Sequence, residues 1–404
     1  MSNYKLNVFK LDDGSRICLL SDKEGRPLLY PNLYLEDEIR RVGKSATTNL
    51  TVAKILRLLL SHLDQQGVSL VDSIVNRRFL NREQIKSIIE FMSIKRCDGN
   101  IVNIRGGDKV SSGTRFYRVV VAFKYMTRLC EYILGNKTYT DSNAENFIRM
   151  LQGYKPKKKI DEDFYNKKVR ALDDYQKKAL FSYVSMNSNK NIYSLRVRKR
   201  NELIFILLYS LGLRKGELLN IRIGDIKFTD NIISITRRHD DKYDSRVKQP
   251  LVKTLERDLK VSDWIINKIH NYITTDRREY IGKKQHDFLL ISHKGCDLSG
   301  EPMSIDGYEK TIQKIRESDK ILENFSGHAL RHTWNNEFSV KLENSDSDLK
   351  LINTELIRCY AMGWSPASQM AATYDIKNIR KRMFQILAKV QASINADVEG
   401  LING

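Results

Sequence analysis

The spacing of apolar residues changes twice along the chain, and this change constrains the fold more than any other feature. Thr51–Gln65 and Arg82–Lys95 place apolar residues three and four positions apart, as one buried helix face requires. Alternation typical of strands occurs later, in Ile232–Thr236, Ser245–Lys253 and Phe288–Ile291. Helical spacing resumes from about Ser304. The pattern predicts a mainly α fold with a small antiparallel β-sheet. In this sheet, Ile232–Thr236 and Ser245–Lys253 are expected to form a hairpin around the turn Asp240–Asp244.

The length of 404 residues exceeds the usual size of one domain, so two domains are expected. We predict a β-rich lead-in at residues 1–44, with a hairpin turn at Asp12–Ser15, and a helical domain at 45–154. A basic linker is predicted at 155–170, because residues 151–200 hold 14 Lys and Arg against 5 Asp and Glu. Its positive charge fits a solvated loop or a DNA-clamping joint about equally well. Residues 171–404 form the second predicted domain.

Side chains that cap helices mark where several of the predicted helices begin. The capping positions are Asn81, Ser111 or Ser112, Asp141 or Ser142, and Asp173. Glu202–Leu211 is so apolar that it is predicted to lie in a core, and Gly212 is placed to end that helix.

The net charge of +20 points to a polyanionic partner, with nucleic acid as the first candidate. No run of 18 apolar residues offers a membrane span, and Met1–Asp13 lacks the apolar core of a secretory signal. We therefore expect a cytoplasmic protein without a membrane partner. The five cysteines and seven histidines show no metal-ligand spacing, so a metal site must be built from carboxylates or be absent. The sequence shows no obvious acidic metal cluster, and we expect no metal and no other cofactor.

Three short segments carry residues suited to phosphate chemistry. In Gly212–Leu219, Arg214 follows a helix end and Glu217 is three positions away, close enough to orient the guanidinium. A surface ion pair explains that spacing equally well when it stands alone.

The second segment, Gly327–Trp334, places His328 and Arg331 on one helix face with Leu330 turned inward, a spacing that also arises by chance. The third contains Trp364 after a glycine and Tyr374 ten residues later. Ordinary core packing would account for both of those aromatic residues.

The order of these segments, GLRxGEL, HxLRHT and GWSP with a downstream tyrosine, resembles the tyrosine recombinase (phage integrase) family. The resemblance places Arg214 on the family's first catalytic arginine and Tyr374 on its nucleophile. His328, Arg331 and Trp364 fall on the remaining motif positions. The family's lysine lies in a β-hairpin turn eight residues before Pro-Leu, and Pro250–Leu251 points back to Lys242 in the predicted turn.

This resemblance covers about residues 165–395 well and is only architectural before them. It implies a helical core-binding domain followed by a catalytic domain of the DNA breaking-rejoining enzyme fold. It also implies a site-specific recombinase that cleaves double-stranded DNA through a 3′-phosphotyrosine, with Lys242 protonating the leaving 5′ oxygen. A homo-tetramer on paired DNA sites and a bacterial or phage-type, nucleoid-associated location are further expectations. Accessory proteins and the DNA sequence recognised are not predicted.

Two spacings depart from the common pattern of the family. Arg331 and Trp364 are 33 positions apart, roughly ten more than is common, and Glu343–Asp348 is the expected insertion. Tyr374 lies one residue further from Trp364 than usual, whereas the alternative nucleophile, Tyr360, precedes the GWSP segment and fits less well. The helical pattern at Lys377–Gln391 fits either docking on a partner subunit or packing on its own domain.

Three alternatives to an active recombinase share features with this sequence. A catalytically inactive, recombinase-like DNA-binding or regulatory protein is disfavoured, because all six matched positions hold chemically competent residues. A metal-dependent DDE transposase or nuclease needs three carboxylates around a larger sheet than the pattern offers. A type IB topoisomerase shares the chemistry, but the size of the two domains and the hairpin favour an integrase.

Overall fold

The computed structural model describes residues 3–95, 109–157, 171–293, 295, 298–343, 354–364, 392 and 396–402. The chain divides into two compact units, Met1–Tyr165 and Asn166–Gly404. The division falls inside residues 155–170, whose role as a linker stays a prediction, as do the other domain boundaries. The fold class predicted from the sequence, mainly α with small antiparallel sheets, is confirmed. No helix among the described residues is long and apolar enough to cross a membrane.

The N-terminal unit begins with an antiparallel hairpin of β1 (Tyr4–Lys10) and β2 (Arg16–Asp22), which confirms the turn expected at Asp12–Ser15. The β-rich interpretation of the whole lead-in is wrong after Asp22, because Leu29–Leu35 forms helix α1, followed by a π turn. Pro31 is compatible with this helix because it lies in the first turn, where its missing N–H has no helical partner to lose.

The helices that follow in this unit are α2 (Ala46–Gln65), α3 (Leu70–Val75), α4 (Arg82–Ser93), α5 (Ser112–Leu134) and α6 (Ser142–Tyr154), with a 3₁₀ turn at Gly135–Tyr139. The predicted caps Asn81, Ser111 and Asp141 all accept bonds from backbone N–H groups of the helices they precede. Leu20 of β2 and Leu56 of α2 share one buried core with α4 and α5, so the hairpin belongs to the helical unit.

The second unit opens with α7 (Asp174–Val184), α8 (Leu195–Leu211) and the single turn α9 (Lys215–Leu218). Asp173 caps α7 as predicted, and the segment Glu202–Leu211 is buried throughout. Gly212 ends α8 in the left-handed conformation, with φ at +58°. A Cβ at this glycine would also lie 3.1 Å from ring atoms of Trp334, which is a tight contact. The positive φ favours glycine here, and the left-handed residue turns the chain toward Arg214.

A three-stranded antiparallel sheet follows, built from β3 (Ile226–Lys227), β4 (Ile232–Ile235) and β5 (Arg257–Lys260) in that order. The predicted return strand, Ser245–Lys253, is wrong: β4 pairs with β5, and residues 236–256 form the connection. Pro250 lacks the N–H that a ladder needs, and the neighbouring Arg246 bonds backbone carbonyls outside the sheet.

Further helices in the described part of this unit are α10 (Asp263–Tyr272), α11 (Arg278–Ile281), α12 (Ile305–Ser318), α13 (Gly327–Glu343) and α14 (Thr354–Met362), with short turns at Ile273–Arg277 and Lys320–Leu322. Phe288–Ile291 is buried but is no strand of the sheet; Phe288 and Ile291 make isolated bridges to Arg222 and Pro302. At the end of the chain, Val398 and Ile402 join the core of this unit.

Candidate active site

Arg331 is the most deeply buried of the predicted site residues that the structure describes. It lies one turn into α13, and its side chain is only 4% exposed. One guanidinium nitrogen donates to the carbonyl of Gly212 at 2.7 Å, and the other donates to the carbonyl of Met362 at 2.7 Å. Both acceptors stand at helix C-termini, where carbonyls lack helical partners and carry partial negative charge. Two helix ends therefore fix the plane of this guanidinium.

The helix end at Met362 has a defined geometry. Gly363 adopts a φ of +62°, and the N–H groups of Gly363 and Trp364 bond the carbonyls of Tyr360 and Cys359. These two bonds form the Schellman motif that commonly ends helices. A side chain at Gly363 would lie 2.6 Å from a nitrogen of Arg257, so glycine is required here for space as well as for conformation.

Arg214 meets Arg331 at the same helix end. Its guanidinium donates to the carbonyl of Met362 at 3.4 Å and approaches Glu217 at 3.5 Å. The side chain is 31% exposed, so part of its guanidinium can contact a ligand that enters from solvent. The structure thus brings two of the predicted cations together on one carbonyl oxygen.

Glu217 is the carboxylate at the centre of this cluster, and its side chain is fully buried. It accepts from the guanidinium of Arg257 at 3.0 Å and from the hydroxyl of Thr254 at 2.6 Å, and it lies 3.9 Å from Arg331. A surface ion pair with Arg214 is therefore the wrong interpretation of this residue. Its strongest partner, Arg257, is itself buried on β5.

The local charges do not balance, because three guanidiniums surround one carboxylate. Burial raises the pKa of Glu217, but the ion pair with Arg257 and the hydrogen bonds outweigh it and hold this pKa below its usual value. Burial lowers the pKa of Arg331 to about 9; Glu217 opposes this shift, while Arg214 and Arg257 add to it. The cluster therefore has excess positive charge that a bound anion would stabilise.

Trp364 lies beside this cluster. The guanidinium carbon of Arg331 is 5.8 Å from the centre of the indole ring, within cation–π range. The indole is about a third exposed, so it covers one side of Arg331 and leaves surface for a ligand.

His328 and Lys242 are both exposed, unlike Arg331. His328 lies in the first turn of α13, and its ring packs edge to face on His332 at 4.7 Å, while Leu330 turns into the core as predicted. Lys242 lies in the connection between β4 and β5, with its ammonium 4.9 Å from the ring of Tyr243. Its predicted place between two antiparallel strands holds, although the return strand is β5.

Several predictions fall outside the described residues: the nucleophile Tyr374, the expected insertion Glu343–Asp348 beyond its first residue, and the tail Lys377–Gln391. Tyr360, the alternative nucleophile, is described. Its hydroxyl donates to the carbonyl of Asp258 at 3.3 Å and accepts from the N–H of Asp258 at 3.4 Å. Its phenol is thus engaged with β5.

Comparison with known proteins connects this site to a family. The model of the phage integrase family matches residues 181–374, a range that contains every predicted site residue. Transposase A from transposon Tn554 of Staphylococcus aureus is 27% identical over 322 residues, which span 78% of this chain and 81% of the transposase.

Residues 181–374 of the chain belong to the tyrosine recombinase family. The chain is accordingly an enzyme of the tyrosine-type site-specific recombinase class, and the inactive DNA-binding alternative is not favoured. The recombinase is also 26% identical to tyrosine recombinase XerC of Staphylococcus aureus strain USA300 over 216 residues, 54% of this chain and 59% of XerC. A solved structure of the Tn1549 transposon integrase with circular intermediate DNA superposes with a TM-score of 0.44 at 15% identity, covering 88% of this chain and 99% of that one.

Sequence reasoning missed two residues of the recombinase's cluster, Arg257 and Thr254. A signal for Arg257 was present: it alternates with Leu259 and Val261, and a charged residue in phase with buried apolar residues requires a buried partner. That signal was hidden because the return strand was placed too early. Thr254 shows no comparable pattern in the sequence.

Proposed function

We propose that Arg214, His328, Arg331 and Trp364 bind one scissile phosphate of double-stranded DNA, that Tyr374 attacks it, and that Lys242 protonates the leaving group. The carbonyl of Met362, which accepts from both Arg214 and Arg331, is the observation that carries this proposal. Two guanidiniums held at one point suit a phosphate, because each can donate paired N–H groups to non-bridging oxygens.

In the proposed step, the phenolic oxygen of Tyr374 forms a bond to phosphorus while the bond from phosphorus to the 5′ oxygen breaks. The phenolic proton passes to His328. A phenol has a pKa near 10, and the nearby cations favour its deprotonation because they stabilise the phenolate. The ammonium of Lys242 gives one proton to the departing oxygen, which leaves as a 5′-hydroxyl. The 3′-phosphotyrosine retains the bond energy, so rejoining needs no ATP.

The excess charge of the arginine cluster supports the same assignment. The non-bridging oxygens gain negative charge in the transition state, and preorganised cations stabilise that charge most effectively where water is excluded. Because guanidiniums supply this charge, we propose that cleavage proceeds without a metal or other cofactor. Without a ligand, burying the charge of Arg331 is unfavourable in free energy. A bound phosphate compensates this because its negative charge pairs with the guanidinium.

Duplex DNA is proposed as the partner of the N-terminal unit as well. A groove of about 780 Å³ in that unit is lined by Arg77, Arg78, Arg82 and Arg149, together with polar and aromatic side chains. Arg78 and Arg82 are exposed, as expected of contacts to a phosphate backbone. The similarity to a transposase supports a role in moving a mobile element.

We further propose that the active assembly is a homo-tetramer on paired DNA sites, in the cytoplasm and associated with the nucleoid. This proposal rests on family membership, since exchange of two duplexes requires four cleavages and each chain is proposed to supply one tyrosine.

The test is a nicked suicide substrate that carries the ends of the element in which the gene lies. The unsubstituted protein should form a covalent protein–DNA adduct in EDTA, and Tyr374→Phe should form none. Tyr360→Phe is the matched control and should retain the adduct. An adduct that survives Tyr374→Phe, or one that requires Mg²⁺, would contradict the proposal.

A further inference from the structure

The turn that carries Lys242 is tied down on both sides by ion pairs. Asp241 accepts from the guanidinium of Arg222, and both side chains are largely buried, 9% and 14% exposed. On the other side, Asp244 and Arg246 form a buried pair with bonds of 2.8 Å from two nitrogens. An exposed lysine therefore stands between two fixed carboxylates.

The backbone of the turn is fixed as well. The second carboxylate oxygen of Asp241 accepts from the N–H of Tyr243 at 2.9 Å, and the carbonyl of Asp241 accepts from the N–H of Asp244 at 3.2 Å. This is the arrangement in which an aspartate at the first position stabilises a tight turn. It places Lys242 at the first corner.

Both ion pairs connect the turn to the segment directly after α9. Arg222 belongs to that segment, and Arg246 donates to the carbonyl of Leu219 at 3.0 Å and to the side chain of Asn220 at 3.2 Å. Since Arg214 is the N-cap residue of α9 and Glu217 lies within that helix, these contacts join the Lys242 turn to the arginine cluster through a few residues.

One aromatic ring holds the two arginines in place. The guanidinium carbons of Arg222 and Arg246 lie 4.7 Å and 4.5 Å from the ring centre of Phe288, which is buried. Cation–π contacts at this distance restrict the guanidiniums without consuming their N–H groups. Those N–H groups are then available to hold the turn.

We propose that Arg222 and Asp241 are positioning residues that hold Lys242 where its ammonium can protonate the leaving 5′ oxygen. Asp244 and Arg246 hold the opposite side of the same turn. The proposal rests on the proposed role of Lys242 and deepens it. General acid catalysis depends on a short, directed approach of donor to acceptor, so loosening the turn removes the benefit even though Lys242 remains.

The test compares two DNA substrates that differ in one atom. In the second substrate the 5′ bridging oxygen at the scissile bond is replaced by sulfur, and a thiolate leaves without needing a proton. Single-turnover adduct formation is measured with the full-length protein. On ordinary DNA, Lys242→Ala should react about 10²-fold or more slowly. On the sulfur substrate it should react within about threefold of the unsubstituted protein.

Asp241→Asn and Arg222→Gln should show the same signature: a loss of about 10-fold to 100-fold on ordinary DNA, and recovery on the sulfur substrate. The double variant should be no slower than the slower single variant, because the two residues act as one unit. Asp276→Asn is the matched control. It breaks the Lys199–Asp276 pair, whose side chains are 20% and 18% exposed, and it should change neither rate.

The outcomes separate this proposal from the one on which it rests. If Lys242→Ala recovers on sulfur but Asp241→Asn and Arg222→Gln are slow on both substrates, or normal on both, the positioning role is wrong and the acid role of Lys242 stands. If Lys242→Ala itself fails to recover, the proposed acid is wrong and the positioning role falls with it. Substituting Asp241 and Arg222 separately ensures that the result does not depend on one variant that merely weakens folding.

Discussion

Two groups of arginines in this protein differ in how they are held. In the catalytic unit, Arg331 and Arg257 are buried, and Glu217 and helix-end carbonyls fix their guanidiniums. In the N-terminal unit, Arg78 and Arg82 lie exposed along a groove. Positive charge therefore has two different tasks in this protein. Buried cations can be aimed at one phosphate, whereas exposed cations supply affinity for any phosphate backbone.

The two groups also differ in cost. Burying a guanidinium costs several kcal/mol unless its hydrogen bonds and charge are compensated, and the lowered pKa of Arg331 reflects that cost. Exposed arginines keep their hydration and cost little, but salt screens them. The difference predicts that substitutions in the cluster reduce catalysis and stability, while substitutions in the groove reduce salt-sensitive affinity.

The largest effect is expected for Arg331→Lys. Lysine keeps the charge but cannot donate to the carbonyls of Gly212 and Met362 in one plane while it binds the phosphate. Single-turnover adduct formation should fall about 10²-fold to 10³-fold, with DNA affinity within about threefold. The matched control is Arg200→Lys, another buried arginine that donates to a backbone carbonyl, at Ile291. Equal losses for the two variants would remove the distinction between the cluster and ordinary buried arginines.

Glu217→Gln should have the largest effect on stability. The neutral amide leaves the buried charges of Arg257 and Arg331 unpaired, which costs about 3–5 kcal/mol of unfolding free energy. Urea unfolding followed by tryptophan fluorescence reports this, because Trp264, Trp334 and Trp364 all lie in the second unit. Glu309→Gln, in an exposed pair with Lys215, should change the same free energy by less than about 0.5 kcal/mol. A similar loss for both would show that burial does not matter.

The stability difference between the unsubstituted protein and Glu217→Gln should depend on pH. The pKa of Glu217 is lower in the folded state than its ordinary value of 4.5, so its charge stabilises the fold above pH 4.5. As the pH falls below that value and the carboxyl takes up a proton, the difference in unfolding free energy should shrink. If this difference in unfolding free energy stayed constant from pH 7 down to pH 4 and below, the charge of Glu217 would be excluded as its source.

Removing exposed cations from the groove should have the smallest effect. The double variant Arg78→Ala/Arg82→Ala should lower the slope of log affinity against log salt by about 2, since each phosphate contact contributes about 0.9. Adduct formation at saturating protein should stay unchanged. Lys23→Ala, which removes an exposed cation outside the groove, should leave the slope as it is. A slower adduct rate at saturation would place the groove arginines in the chemistry itself.

Much of the fold could be predicted because local signals determined it. Asn81, Ser111, Asp141 and Asp173 are side chains that satisfy the first N–H groups of a helix, and each begins one as expected. Prediction failed where long-range contacts decide. Ser245–Lys253 has the alternation of a strand, but Arg246 bonds carbonyls at Leu219 and Met303, which are distant in the sequence.

The candidate site shows the same division. The sequence motifs identified Arg214 and Arg331, but their meeting on the carbonyl of Met362 depends on how α14 ends, which no single segment reveals. The buried partnership of Glu217 with Arg257 spans 40 positions and a strand that was placed too early. Backbone acceptors and long-range ion pairs leave little trace in a single sequence.

The central claim is that the arginine cluster serves a phosphate that becomes linked to Tyr374. The most direct measurement is mass spectrometry of the covalent DNA adduct after trypsin digestion. The tryptic peptide that follows Arg358 and ends at Lys377 contains both Tyr360 and Tyr374, so fragmentation within it must locate the attached nucleotide. The account predicts the nucleotide on Tyr374. A nucleotide on Tyr360, or on any other residue, would contradict it.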